Sequence, residues 1–202
     1  MAAFFDRSGS DYPALAKTTM GSFLDSIELL GRRTAEVHVA LADAREEKAF
    51  EPIAFTKLYQ RSLYQSMRST TVRSFQTLRR RLGFLPEGLQ ADAERVLLLE
   101  ERLLERFQRL IPASLNSRRI RVHGDYHLGQ VLFTGKDFLL IDFEGEPDRP
   151  ISERRLKRSP LRDVAGMLRS FHYASYADLL GLIPGQANGD PKASARHRYW
   201  LG

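Results

Sequence analysis

The strongest constraint on the fold is a change of hydrophobic period partway along the chain. Up to about residue 110 apolar side chains recur at the three- and four-residue spacing of helices. From Arg119 to Ile141 the pattern becomes that of short strands, and from Pro160 the helical spacing returns. Ile27, Leu30, Val37, His38 and Leu41 predict one helix over residues 22–44, with Gly31 as an interruption or a close packing contact. Phe55, Tyr59, Leu63, Met67, Phe75, Leu78 and Leu82 predict a second, closed by a turn over 83–88. Residues 91–110 read as a single helix with Val96, Leu99, Leu103, Phe107 and Leu110 on its inner face, and Glu105 precedes Arg109 by four on the outer one. Ile120 and Val122 predict a strand, residues 130–133 another and 138–141 a third. Thr134-Gly135-Lys136-Asp137 forms a hairpin turn between the last two. After Pro160, a helix is expected with Leu161, Val164, Leu168 and Phe171 on its apolar face. The fold class predicted is α+β, mostly helical, with one short β-hairpin at the centre.

Composition narrows the function classes. The 202 residues contain no cysteine, which excludes disulfides, thiolate zinc sites and iron–sulfur clusters and fits a reducing compartment. Uninterrupted apolar runs are only a few residues long, as in Val96–Leu99, so no bilayer span is expected. The N-terminal residues lack the pattern of a secretory signal, and a cytoplasmic chain is the expectation. Thirty-one Lys and Arg against 25 Asp and Glu give a net charge of +6. The densest basic run, residues 149–162, has six Lys or Arg and one acid but no interleaved aromatic residues for base stacking. It reads as a solvated face or an anion-binding surface, with no nucleic acid as partner.

The chemistry-bearing residues concentrate in the β segment, as His123-Gly124-Asp125-Tyr126-His127-Leu128-Gly129-Gln130 and Ile141-Asp142-Phe143-Glu144-Gly145-Glu146. Both stretches lie at strand ends, where loops present side chains from a rigid scaffold. The run Phe138–Ile141 is expected to be buried, yet it ends in Asp142, and a carboxylate at the mouth of a buried strand calls for a cation or hydrogen-bond donors. If the hairpin returns the chain, Asp125, Gln130 and Asp142 converge. Two carboxylates and an amide oxygen suit a hard cation such as Mg²⁺, which takes oxygen ligands and substrate phosphates. A further carboxylate can accept the proton of an attacking hydroxyl. Kinases place an Asp and an Asn five residues apart on one loop and a second Asp after a hairpin. Here Asp125 and Gln130 have that offset and Asp142 follows the predicted hairpin. Each residue also has a plainer role. His123 orients the loop through hydrogen bonds, His127 is a metal ligand, a loop support or a substrate-edge residue, and Asp163 caps a helix.

The segment from His123 to Gly145 resembles the catalytic and metal-binding loops of the aminoglycoside-phosphotransferase-like branch of the kinase superfamily. More closely, HGDYHLGQVL (123–132), IDFEGEP (141–147) and SERRLKRSPLRDVAGMLRSF (152–171) resemble the maltokinases, and LLGRRTAEVHVALA (29–42) is similar to the first large helix of their C-terminal lobe. The resemblance implies ATP-dependent phosphorylation of maltose to maltose 1-phosphate, within trehalose and glycogen metabolism, with ATP and Mg²⁺ as cofactors and trehalose synthase as a partner. It implies Asp125 as the catalytic base, His123, Gln130 and Glu144 around the nucleotide, and Gln130 and Asp142 as magnesium ligands. Asp163 would brace the catalytic loop by accepting backbone hydrogen bonds. Glu144 is also a candidate to face the sugar or a second metal, and Arg155 and Lys157 to meet sugar or phosphate. No G-x-G-x-x-G and no Walker-type loop occurs in the chain. The expected organisation is therefore a C-terminal lobe over 22–182 without its N-terminal lobe, preceded by a linker at 1–21 and followed by a loop-rich segment at 183–202. Such a lobe is expected to show little or no maltokinase activity alone. Two alternatives remain at the sequence level. One is a metal-dependent hydrolase with His123, Asp125, His127 and Asp142 as ligands, and the other a non-catalytic interaction module.

Overall fold

The computed structural model describes residues 14–43, 47–113 and 115–179. They divide into two compact units. One is formed by the chain up to Pro52 together with the chain from Arg119 onward, and the other by Ile53–Arg118. Residues 1–13 of the expected linker and the whole expected segment 183–202 lie outside the described residues.

The first unit opens with helix α1, Ala14–Asp43. It takes in residues 14–21, which the sequence reading placed before the lobe. The reason is visible in burial: Met20 and Leu24, four apart, pack together, and Leu30 and Thr34 continue the buried stripe. Leu30 joins Tyr126 and Met167 in the core that carries the site, with Leu128, Val131, Phe138, Leu140 and Phe171 around it.

In the second unit, strand β1 (Ile53–Ala54) pairs with β2 (Arg118–Arg119). Helix α2 (Lys57–Arg81) is capped by Thr56, whose hydroxyl accepts from Tyr59 N at 3.2 Å. A 3-10 turn (Leu82–Phe84) leads to α3 (Glu87–Leu97) and α4 (Glu100–Gln108), which pack on α2. The single helix expected over 91–110 is thus two. At Leu98 and Leu99 ψ opens to −13° and −5°, and Leu99 N bonds back only three residues, to Val96 O at 2.9 Å. Glu100 and Glu101 then provide the acidic first turn that favours a new helix start. Val96 and Leu99, expected inside, are about half exposed, and Ala93 is buried instead. Gln60 is buried and donates its amide to Leu110 O and Ala113 O, satisfying carbonyls at the end of this segment.

Back in the first unit, β3 (Val131–Phe133) and β4 (Phe138–Leu140) form the predicted hairpin, with Val131 opposite Leu140 and Phe133 opposite Phe138. The turn is closed by Thr134 N donating to Asp137 O at 2.8 Å, and Gly135 takes φ 92°. Arg33 of α1 grips the turn through two parallel bonds to Asp137, Nε–Oδ1 at 2.7 Å and Nη2–Oδ2 at 2.9 Å. The run Phe138–Ile141, expected to be buried throughout, alternates. Phe138 and Leu140 pack against the core, whereas Leu139 lies 56% exposed opposite the equally open Leu132. Ile120 makes only an isolated bridge to Arg158, and Val122, although buried, is not in a strand. After the short helix α5 (Ile151–Arg154), helix α6 runs from Leu161 to Leu179. Of the four residues expected on its inner face only Phe171 packs against the core. Leu161, Val164 and Leu168 are exposed, and Asp163 and Met167 are buried. Gly166 explains the register, because a Cβ there would sit 2.7 Å from Tyr126 O, so only a glycine lets the helix lie against that backbone.

Candidate active site

The loop after Val122 is held from below by a carboxylate. Asp163, 2% exposed near the start of α6, accepts from His123 N at 2.9 Å through Oδ2 and from Gly124 N at 3.0 Å through Oδ1. His38 of α1 adds a third bond, Nε2 to the same Oδ2 at 2.9 Å. Burial alone would push this carboxyl up, but the bonds from His38, Gly124 and His123 together outweigh it and hold the group below the usual carboxylate range. The bracing expected of Asp163 is therefore present as hydrogen bonds to two consecutive loop amides. His38 was read in sequence only as part of an apolar helical stripe, and nothing local marks it, since its partner lies 125 residues away.

Two further ties fix the loop. Thr34 donates its hydroxyl to Leu30 O at 2.8 Å, so at 2.7 Å Tyr126 Oη is the donor to Thr34. Burial is the main cause that raises the Tyr126 phenol above its ordinary pKa, which keeps that proton in place. Ser170 of α6 accepts from Leu128 N at 3.0 Å. Gly124 and Gly145, with φ 89° and 79°, bring the two site loops back to back, where a Cβ on Gly124 would lie 3.3 Å from Gly145 Cα.

His123 links the two loops. Its ring is 2% exposed and sits against Tyr126 and Phe143, with centroids 5.3 and 4.8 Å away. Nε2 donates to Ile141 O at 2.8 Å, next to Asp142, which leaves Nδ1 to accept from Asp125 N at 3.4 Å. One imidazole thus joins the backbone of Asp125 to that beside Asp142. Both nitrogens are taken, so His123 acts inside the loop and has no ring nitrogen left for a nucleotide. Asp142 has φ 65°, the one described non-glycine residue with positive φ. Asp tolerates this conformation better than most residues, and such outliers concentrate at working sites. Gln130, from the 3-10 turn Leu128–Gln130, reaches Asp142 with its amide, Nε2 to Oδ2 at 3.0 Å. Gln130 and Asp142, two of the three residues expected to converge, therefore meet, and Asp125 is joined to them only through His123.

A carboxylate and an amide side by side fit a hard cation that completes its shell with water and phosphate oxygens. They do not fit an all-protein transition-metal cage. Among the described residues no three His, Cys, Asp or Glu side chains are gathered to hold a metal, and the ring of His123 is committed. The four-ligand hydrolase arrangement is therefore not assembled.

Asp125 opens onto a cleft of about 520 Å³ bounded by its own loop, Tyr126 and His127, and by α6 with Arg162, Gly166, Arg169, Ser170 and Tyr173. Its carboxylate is one-third exposed, with Oδ2 3.9 Å from His127 Nε2. His127 Nδ1 accepts from Gly129 N at 3.1 Å, so the protonated nitrogen faces Asp125. Glu144 is exposed and pairs with Arg154 at 3.5 Å. Lys157 donates to Lys48 O and Glu51 O, away from the cleft. Three of the six cations of the basic run are paired with acids that lie within it or just before it, Arg154 with Glu144 among them. Arg149 bonds to Glu146 and Glu153, and Arg162 also pairs with Glu146. The cleft arginines are Arg162 and Arg169, and sequence reasoning did not assign the second. Nothing local marks Arg169, which lies six residues after Asp163 and therefore on a different, exposed face of the helix.

Comparison with known proteins gives concordant findings. The Phosphotransferase enzyme family (APH) profile matches residues 24–145. A glucosamine kinase of Streptacidiphilus jiangxiensis is 31% identical over 83 residues, 41% of this chain and 19% of the relative. A glucosamine kinase of Mycolicibacterium smegmatis is 44% identical over 54 residues, 26% of this chain and 13% of the relative. Among solved structures, glucosamine kinase in complex with glucosamine, ADP and inorganic phosphate superposes with a TM-score of 0.62 at 25% identity, over 91% of this chain and 40% of that one. The chain thus spans about two fifths of the length of the kinase it resembles in structure.

Proposed function

The chain belongs to the phosphotransferase enzyme family, and we propose that its first unit carries the phosphoryl-transfer site of an ATP-dependent sugar kinase whose acceptor is maltose. The observation that carries the reading is the meeting of Gln130 and Asp142 at 3.0 Å, joined through His123 to the loop of Asp125. Asp125 accepts the proton of the attacking sugar hydroxyl, a role that needs an accessible carboxylate beside an open cleft. Asp142 and Gln130 would hold Mg²⁺, which when bound offsets the charge of the nucleotide phosphates. Asp163, His38 and His123 keep the loop amides fixed so that the carboxylate is positioned before substrate arrives.

Support for maltose is the likeness of residues 123–132, 141–147 and 152–171 to the maltokinases, and the same likeness supports trehalose synthase as a partner. A second reading, glucosamine as acceptor, is favoured by the relatives above. The test incubates the chain with Mg-ATP and either sugar, at protein concentrations near the substrate's so that a single slow turnover registers by ³¹P NMR. Against the little or no turnover expected of the lobe alone, a trace of maltose 1-phosphate that disappears in Asp125→Asn is the supporting result. Product formation unchanged by Asp125→Asn contradicts the site, and a phosphorylated glucosamine alone moves the conclusion to the second reading.

A further inference from the structure

We propose that Arg169 and Tyr173, one turn apart on α6, are the acceptor-recognition pair of the cleft beside Asp125, and that they suit it to an uncharged polyhydroxylated ring rather than to a cationic amino sugar. The inference rests on the sugar-kinase reading above and concerns which sugar it takes. Arg169 donates from Nη2 to Tyr173 Oη at 3.1 Å, and its guanidinium carbon lies 4.4 Å from the Tyr173 ring centroid. Stacking of this kind fixes two otherwise flexible side chains as one platform. Tyr173 is 63% exposed, leaving ring surface for the C–H face of a sugar.

Charge in the cleft decides the class of acceptor. Arg162 is paired with Glu146, whereas Arg169 has no carboxylate partner among the described residues, so most of its N–H groups remain available to hydroxyl oxygens. The acids nearby are spoken for. Asp163 is saturated by two loop amides and His38, and Glu146 is held by Arg149 and Arg162. Asp125 is the carboxylate left facing the cleft, and the transfer reaction needs it for the hydroxyl proton. An ammonium group entering here would meet the unpaired Arg169 cation and compete for Asp125, whereas a neutral ring meets donors and an aromatic face. The volume, about 520 Å³, lies within the range of small-molecule sites.

The test titrates maltose and glucosamine into the chain without nucleotide or metal, at pH about 6, where the amine is protonated. Maltose is expected to bind about tenfold more tightly than glucosamine. Arg169→Gln and Tyr173→Ala are each expected to weaken maltose by about tenfold, the scale of one lost charge-assisted bond or stacking contact. Arg169→Glu is expected to reverse the order of the two sugars. Both side chains are on the surface, and far-UV circular dichroism confirms that the variants fold. Maltose affinity unchanged within about twofold in Arg169→Gln and Tyr173→Ala, or an order of sugars that Arg169→Glu leaves as it was, overturns the proposal. Since neither nucleotide nor metal is present, failure here leaves the transfer reading standing, and failure of the ³¹P assay leaves this one standing.

Discussion

Replacing Asp163 by Asn tests the brace under the catalytic loop with almost no change in shape. The carboxylate accepts three bonds, from His38 Nε2 and His123 N at 2.9 Å and from Gly124 N at 3.0 Å. An amide keeps one oxygen for the first two donors and turns its NH₂ toward Gly124 N, donor against donor. A buried donor left unpaired costs about 1–3 kcal/mol, and each remaining bond loses its charge assistance, roughly a further 0.5–1 kcal/mol. Relief of the burial cost of the charge offsets part of this, and about 2–3 kcal/mol remains. Urea denaturation at neutral pH measures it directly. The difference between wild type and variant also depends on pH. The folded Asp163 titrates below the usual range, so its contribution is present above the unfolded carboxylate's pKa of about 3.9 and is lost as pH falls through the lower folded value. The gap between the two proteins should therefore narrow at acid pH. A gap under about 0.5 kcal/mol at neutral pH, or one that does not narrow in acid, refutes the reasoning.

Other outcomes follow from the same geometry. Gly166→Ala places a methyl 2.7 Å from Tyr126 O. The helical gain of about 1 kcal/mol is offset by overpacking of about 1–3 kcal/mol, and displacement of the adjacent Asp125 lowers ³¹P-detected transfer by more than tenfold while stability falls little. His38→Ala removes one of the bonds to Asp163 and is expected to cost about 1–2 kcal/mol by urea denaturation, and to leave maltose affinity in the binding titration unchanged. Asp142→Gly relieves a positive φ of 65° on a non-glycine residue, so stability should stay within about 1 kcal/mol of wild type although Mg-dependent nucleotide binding is lost. A large loss of stability in that variant would show Asp142 to be structural.

What was legible in the sequence was local. Thr134–Asp137 between two apolar runs specifies its hairpin by turn chemistry, and the hairpin then brings Gln130 to Asp142. Long-range pairing and helix register were not legible. His38 sits among apolar neighbours and reveals its role only when α1 lies against α6. On α6 the leucines at 161 and 168 outscore Asp163 in any hydrophobic pattern, yet the close approach at Gly166 turns the polar side inward. The break at Leu98–Leu99 carries no Gly or Pro to announce it. The basic run at 149–162 holds a single acid, and Glu146, which pairs with its first and last arginines, lies just outside that window.

The central claim is that Asp142 and Gln130 bind the metal–nucleotide pair. It is tested most directly by electron paramagnetic resonance of Mn²⁺ standing in for Mg²⁺, titrated with ADP into the chain. Loss of the free-ion signal that requires ADP, disappears in Asp142→Ala and weakens in Gln130→Ala is the predicted result. Binding that persists unchanged in Asp142→Ala would contradict the account.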